Sequence, residues 1–118
     1  MSRTDDSGRL QHMLDHAQET LDMAKDKQRS DLDADRKLNL ALVRLLEIVG
    51  EAAARVSDQR RTSLTQIPWP AIVGLRNRLI HGYDEVDFDI LWDIVTLDLP
   101  PLVAELRQAL GQDAIDGN

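Results

Sequence analysis

Apolar residues recur at three- and four-residue intervals along almost the whole chain, and glycine and proline are scarce within the stretches that carry them. Alternation of β-branched residues is nearly absent, so the pattern predicts helices throughout and leaves little room for a sheet. A first helix is expected over about 7–29, with Leu10, Met13, Leu14, Ala17, Leu21 and Ala24 on one face. Ser30 or Asp31 can cap a second helix reaching about Ser57, along a stripe of Leu38, Leu42, Leu45, Val49, Ala52 and Val56 that Ala41, Ile48 and Ala53 widen. The stretch 58–67 is polar and reads as a loop. Pro68 and Pro70 suit the first turn of a third helix, where a missing N–H costs nothing. That helix would carry Trp69, Ile72, Val73, Leu79 and Ile80 and end near Gly82. Asp87 can cap a fourth, with Ile90, Leu91, Ile94, Val95 and Leu97, which Pro100-Pro101 should kink or break before Leu102, Val103, Leu106 and Leu110 continue the pattern. The expected fold is an all-α antiparallel bundle of four to five helices over residues 8–110. Flexible ends are expected at 1–7 and 111–118.

A chain of 118 residues is the size of one ordinary domain. It has no cysteine, which excludes disulfides, thiol catalysis and cysteine-ligated zinc. Its aromatics, Trp69, Tyr83, Phe88 and Trp92, are too few for an exposed row of base-stacking rings. No leader-like apolar segment and no membrane-crossing stretch are evident, so a cytoplasmic location is expected. The formal net charge of −7 argues against broad nucleic-acid binding. The charge is uneven, however. Between 55 and 83 stand Arg55, Arg60, Arg61, Arg76 and Arg78 against the single acid Asp58, whereas 84–118 carries nine acids and only Arg107. This basic island is either chance surface charge or a local anion site in a repulsive surround.

On an ideal wheel Trp69, Ile72, Val73, Leu79 and Ile80 all fall within about 60° of Arg76. The guanidinium would therefore sit at the centre of the apolar stripe, where it must be paired or reach a polar cavity. The structural alternative is an ion pair with Glu47 or Glu51 of the second helix; the functional one is a phosphate receptor. Asn77 and His81 fall on one flank, at about 100° and about 140°. Histidine is the natural proton shuttle near neutral pH, although one at a helix end more often meets free carbonyls. His12 and His16, four apart, could bind a metal on a helix, but no third ligand is apparent. Met13 and Met23 suit core or dimer packing.

The run Gly74-Leu-Arg76-Asn77-Arg-Leu-Ile-His81-Gly-Tyr83-Asp-Glu-Val-Asp87 is far more specific than the bare Arg-x4-His spacing. It resembles the signature of the HEPN superfamily, in particular of HepT toxins. Val49-Gly-Glu51-Ala-Ala, Ile67-Pro-Trp69 and Trp92-Asp-Ile-Val-Thr-Leu-Asp-Leu-Pro-Pro101 fit the same family. The resemblance covers about residues 10–110. It implies a helical bundle that forms a homodimer, bringing two Arg-x4-His motifs to one cleft, and a metal-independent endoribonuclease without a cofactor. Arg76, Asn77 and His81 would be the catalytic residues, and Arg76 and Arg78 the contacts to RNA phosphate, in tRNA or mRNA. It further implies a cognate minimal nucleotidyltransferase antitoxin, which can transfer AMP to the motif tyrosine, here Tyr83. Without the resemblance, Tyr83 reads equally as a ring packed at a helix end. The competing functional reading is a catalytically idle HEPN module that only binds a protein or nucleotide.

Overall fold

The computed structural model describes residues 3–83 and 85–116. Helices dominate: α1 (Arg3–Ala24), α2 (Arg29–Ala34), α3 (Arg36–Ala54), α4 (Asp58–Ser63), α5 (Trp69–Val73), α6 (Leu75–Leu79), α7 (Phe88–Asp93) and α8 (Leu99–Asp116). A two-residue antiparallel ladder, β1 (Ile80–His81) with β2 (Glu85–Val86), interrupts the series. The fold is all-α in class, as the periodicity predicts.

α3 carries the core. It packs against α1, α2, α5 and α6, while α8 lies along α1. Leu42, Leu46, Val49 and Ala53 of α3 are fully buried with Leu10, Met13 and Ala17 of α1, and Leu99 and Leu106 complete the cluster from α8. Gly50 permits the closest approach: a Cβ there would stand 3.0 Å from the backbone oxygen of Ile72, so α3 and α5 meet backbone against backbone.

Helix ends are set largely by carboxylates and hydroxyls. The Asp35 side chain accepts from Leu38 N (3.0 Å) to start α3, and Asp31 Oδ2 accepts from Gln28 N (2.6 Å) at the start of α2. The expected single helix from Ser30 or Asp31 to Ser57 is thus two helices, because Asp35 leaves the helical region (φ −119°, ψ 96°) to cap the second. Buried Asn39 binds the two together by donating from Nδ2 to Leu32 O (2.9 Å). The first helix likewise stops at Ala24, short of the expected Arg29, and Asp26 turns the chain at a positive φ of 64°.

Ser57 begins α4, a short helix where the polar stretch 58–67 reads as loop. Its Oγ accepts from Arg60 N (3.2 Å), and Asp6 of α1 in turn accepts from Ser57 N (2.9 Å) and Ser57 Oγ (2.6 Å). Asp6 is only 4% exposed. Burial pushes its carboxyl pKa up, but the side-chain and backbone hydrogen bonds from Ser57 and the nearby Arg60 charge outweigh that and hold it below the usual value. Residues 111–116, expected in a flexible tail, continue α8. There Asp113 pairs with Arg60 (2.5 Å) and accepts from Ser7 Oγ (2.8 Å). Residues 3–7, also expected to be flexible, are helical. Positions 1, 2, 117 and 118 of those expected ends lie outside the described residues.

The third helix is shorter than expected and divided. Pro68 caps α5, Gly74 separates it from α6, and the chain leaves the helix at Leu79, three residues before Gly82. Gly82 takes a positive φ of 65° at the turn of the β1–β2 hairpin, with open space for 4 Å around the point where a Cβ would project. Asp87 caps the next helix as expected, accepting from Asp89 N (3.0 Å) and Ile90 N (3.1 Å). The break expected at Pro100-Pro101 takes the form of a π turn, Ile94–Asp98, leading directly into α8. A wider turn spares the proline rings a clash with the preceding carbonyls, so the helical path continues.

Substitutions at Asp6 and Gly82 test these features. Asp6→Ala should lower unfolding free energy at pH 7 by about 1–3 kcal/mol in urea titrations. Because the folded-state pKa is depressed, this stabilisation is present above the unfolded value and is lost as pH falls through the folded one, so wild type and variant should converge in acid. Gly82→Ala should cost about 1–2 kcal/mol through left-handed strain alone, and Gly82→Asn less, as read by thermal denaturation.

Candidate functional site

The motif residues line a short path from α6 into the hairpin. The approach of α3 to α5 at Gly50 opens a cleft of about 250 Å³ lined by Glu47, Gly50, Glu51, Val73, Arg76 and Asn77. Arg76 is not buried. Its side chain is 64% exposed, and its Nε stands 3.6 Å from Glu47 Oε2. The expected stripe counts Val73, which is exposed, and Ile80, which lies on β1, and passes over Leu75. The buried positions are Trp69, Ile72, Leu75 and Leu79, a face centred to one side of Arg76, and Arg76 turns outward. Glu47 is nevertheless one of the two acids the sequence offers as its partner.

Asn77 is exposed beside Arg76 in the same cleft. Arg78 points elsewhere: its Nη2 lies 3.2 Å from Asp98 Oδ2, at the edge of a larger cavity of about 510 Å³ that Ile67, Ile72, Leu97 and Leu102 help to line. His81 stands on β1, not on a helix flank, directly across the ladder from Glu85. Its Nε2 is 3.9 Å from Asp87 Oδ2, and its side chain is 56% exposed. Asp87 closes the hairpin by donating its N–H to Leu79 O (3.0 Å). Tyr83 is 98% exposed, so its ring does not pack at a helix end. Asp84 of the motif lies outside the described residues.

Each basic side chain of the motif therefore faces its own carboxylate: Arg76 with Glu47, Arg78 with Asp98, His81 with Asp87. Two of these acids, Asp98 and Asp87, gain no site role from the sequence, which marks Asp87 only as a cap. A carboxylate six residues after a histidine carries no periodic signal; only the hairpin makes them neighbours. Elsewhere in the basic island, Arg60 binds Asp113, and Arg61 donates to the Ala53 and Ala54 carbonyls (3.0 and 2.8 Å) at the end of α3. These two arginines hold the fold together.

Chemically, the exposed histidine can exchange a proton, and the guanidinium and amide of the Gly50 cleft, which His81 itself does not line, can bind an oxyanion. His16 of the other histidine pair has its Nδ1 2.7 Å from the His12 carbonyl oxygen. Among the described residues no group of three or more acidic or histidine side chains is placed to hold a metal ion, and no helix is long and apolar enough to cross a membrane.

Comparison with known proteins gives one consistent result. The chain is 34% identical over 107 residues to the Methanocaldococcus jannaschii protein named "Putative RNase MJ1380", an overlap covering 91% of this chain and 98% of the relative. A Caldanaerobacter subterraneus protein, also named as a putative RNase, is 31% identical over 88% of this chain and 93% of its own. A Thermococcus cleftensis protein named "Probable ribonuclease HepT" is 35% identical over 66% of this chain and 71% of its own. No solved structure matches significantly. The family model described as "Ribonuclease HepT-like" matches residues 13–109, spanning the core helices, the Gly50 contact and the whole hairpin motif, and the chain belongs to that family.

Proposed function

We propose that this chain is a metal-independent endoribonuclease, the toxin of a toxin–antitoxin pair. The observation that carries the reading is the exposure of Arg76, Asn77 and His81, close together in sequence between α6 and β1, in a chain of the HepT-like family. His81 takes the proton of a ribose 2′-hydroxyl, whose oxygen then attacks the adjacent phosphorus. Arg76 neutralises charge on the phosphorane-like transition state, and Asn77 orients the phosphate; Arg78 offers a further phosphate contact. The P–O5′ bond breaks, leaving a 2′,3′-cyclic phosphate and a 5′-hydroxyl. The leaving oxygen needs a proton, and a second copy of His81 across a twofold axis would supply it. The exposed apolar side chains of Val73 and Leu97 support such self-association.

The partner is a minimal nucleotidyltransferase antitoxin that transfers AMP to Tyr83. The near-complete exposure of that phenol supports the assignment, since another enzyme must reach it. The adduct adds negative charge and bulk two residues from His81, where RNA must enter. The alternative, a catalytically idle binding module, draws support from the carboxylates that already face Arg76, Arg78 and His81.

Purified wild type should cleave RNA in the presence of EDTA. His81→Ala and Arg76→Ala should each reduce cleavage on the order of 10²–10⁴-fold with the melting temperature retained. Normal cleavage by His81→Ala would defeat the mechanism, and a wild type inert toward RNA would favour the idle module. Tyr83→Phe should keep much of the activity yet gain no mass on co-expression with the antitoxin, whereas wild type should gain one or more AMP units. An adduct mapped to another residue would defeat the Tyr83 assignment.

A further inference from the structure

Asp87 uses its two carboxylate oxygens differently. Oδ1 accepts from Asp89 N (3.0 Å) and Ile90 N (3.1 Å), capping α7, while Oδ2 faces His81 Nε2 at 3.9 Å. Its own N–H is committed to Leu79 O (3.0 Å). The residue is thus fixed on both sides, by the hairpin behind it and by the helix ahead, and the second oxygen is held toward the imidazole.

Resting on the ribonuclease reading, we propose that Asp87 is a positioning residue for His81: its Oδ2 holds the ring by Nε2–H, leaving the Nδ1 lone pair to take the 2′-hydroxyl proton. A distance of 3.9 Å exceeds a hydrogen bond by roughly 1 Å. Rotation of the exposed His81 side chain is enough to close it, and the incentive grows during the reaction. Before proton transfer the ring is neutral and the carboxylate only orients it. Once Nδ1 has taken the proton, a full positive charge faces Oδ2, so the contact is stronger as charge develops than in the ground state, which is the condition for accelerating a step. The proton passes from O2′ to Nδ1, the O2′–P bond forms, the P–O5′ bond breaks, and O5′ is protonated by an imidazolium; Asp87 stays ionised throughout.

The other charges near His81 do not fill this role. Glu85 stands across the ladder and is exposed. Arg76 and Arg78 on α6 are directed to Glu47 and Asp98, and Asp89 on α7 accepts from Arg29 Nε at 2.7 Å. Only Asp87 meets a ring nitrogen of His81 among the described residues.

Asp87→Asn separates the two duties, because asparagine caps a helix as well as aspartate does but carries no charge. In the full-length chain, the imidazole nitrogens of His81 should be observed by nitrogen NMR in wild type, Asp87→Asn and Glu85→Gln, with His81→Ala assigning the signals. The Nε2 resonance should move in Asp87→Asn and stay in place in Glu85→Gln. In Asp87→Asn kcat should fall on the order of tenfold, a fraction of the full general-base contribution, with KM within about twofold. Glu85→Gln should leave kcat within about twofold. An unmoved Nε2 resonance in Asp87→Asn, or a kcat loss reproduced by Glu85→Gln, would overturn the inference even in an enzyme that cuts RNA. An Nε2 resonance that moves in Asp87→Asn, in a protein whose wild type cuts no RNA, would support the pair and overturn the ribonuclease reading instead.

Discussion

The approach of α3 to α5 at Gly50 is the constraint on which the site depends. A Cβ there would stand 3.0 Å from the Ile72 carbonyl oxygen, so any side chain would require the two backbones to part by a few tenths of an ångström. With glycine in place, Val49 and Ala53 meet Ile72 and Leu75 in the core, and the two backbones stand close enough for Glu47, one turn earlier on α3, to reach Arg76 on α6. The cleft is the outer edge of that contact. Arg76 and Asn77 are therefore attached to the packed core through α3 and α5, while His81 and Tyr83 stand on a hairpin with two residue pairs.

The carboxylates around the motif bear on affinity more than on fold. The Arg76–Glu47 contact is long and its arginine mostly solvated, and the Arg78–Asp98 pair is more than a third exposed on both sides. Exposed pairs of this kind contribute about 0–1 kcal/mol. A phosphate with bidentate geometry can compete with so weak a partner. On the proposed reading, a net charge of −7 and a phosphate-binding motif are compatible for this reason: a phosphate would bind only where it can displace Glu47 at close range.

Much of the fold was legible because long apolar periodicity survives any detail of its ends. The stripe of α3, the proline start of α5 and the Asp87 cap all stand where the sequence places them. The misleading features were breaks with no conspicuous breaker. Asp26 and Asp35 each interrupt a helical pattern without glycine or proline, and at Asp35 the carboxylate satisfies an N–H of the next helix and so repays the lost turn. Conversely, two prolines did not break α8, since a π turn absorbs them. The candidate site residues, Arg76, Asn77, His81 and Tyr83, come from the motif, and their geometry does not. A stripe that counts Val73 and Ile80 and passes over Leu75 buries Arg76, and a wheel carried past Leu79 puts His81 on a helix that has already ended.

The acidic C-terminal third also changes meaning once folded. As a sequence it looks like a repulsive surround for the basic island. In the structure, Asp87 caps α7 and faces His81, Asp89 binds Arg29, Asp98 binds Arg78, and Asp113 binds Arg60. Arg60 and Arg78 of the basic block thus find their carboxylates in the acidic one, whereas Asp89 reaches back to Arg29 of α2 and Arg76 turns to Glu47 of α3. The strengths of these pairs are graded by burial. Arg60–Asp113, with side chains 19% and 13% exposed, sits where loss of either partner would strand a charge, so it fastens α4 to the end of α8. The pairs within the motif are the longest, 3.6 Å for Arg76–Glu47 and 3.9 Å for His81–Asp87, and in each the basic side chain is more than half exposed, so either partner can be lost without stranding a buried charge.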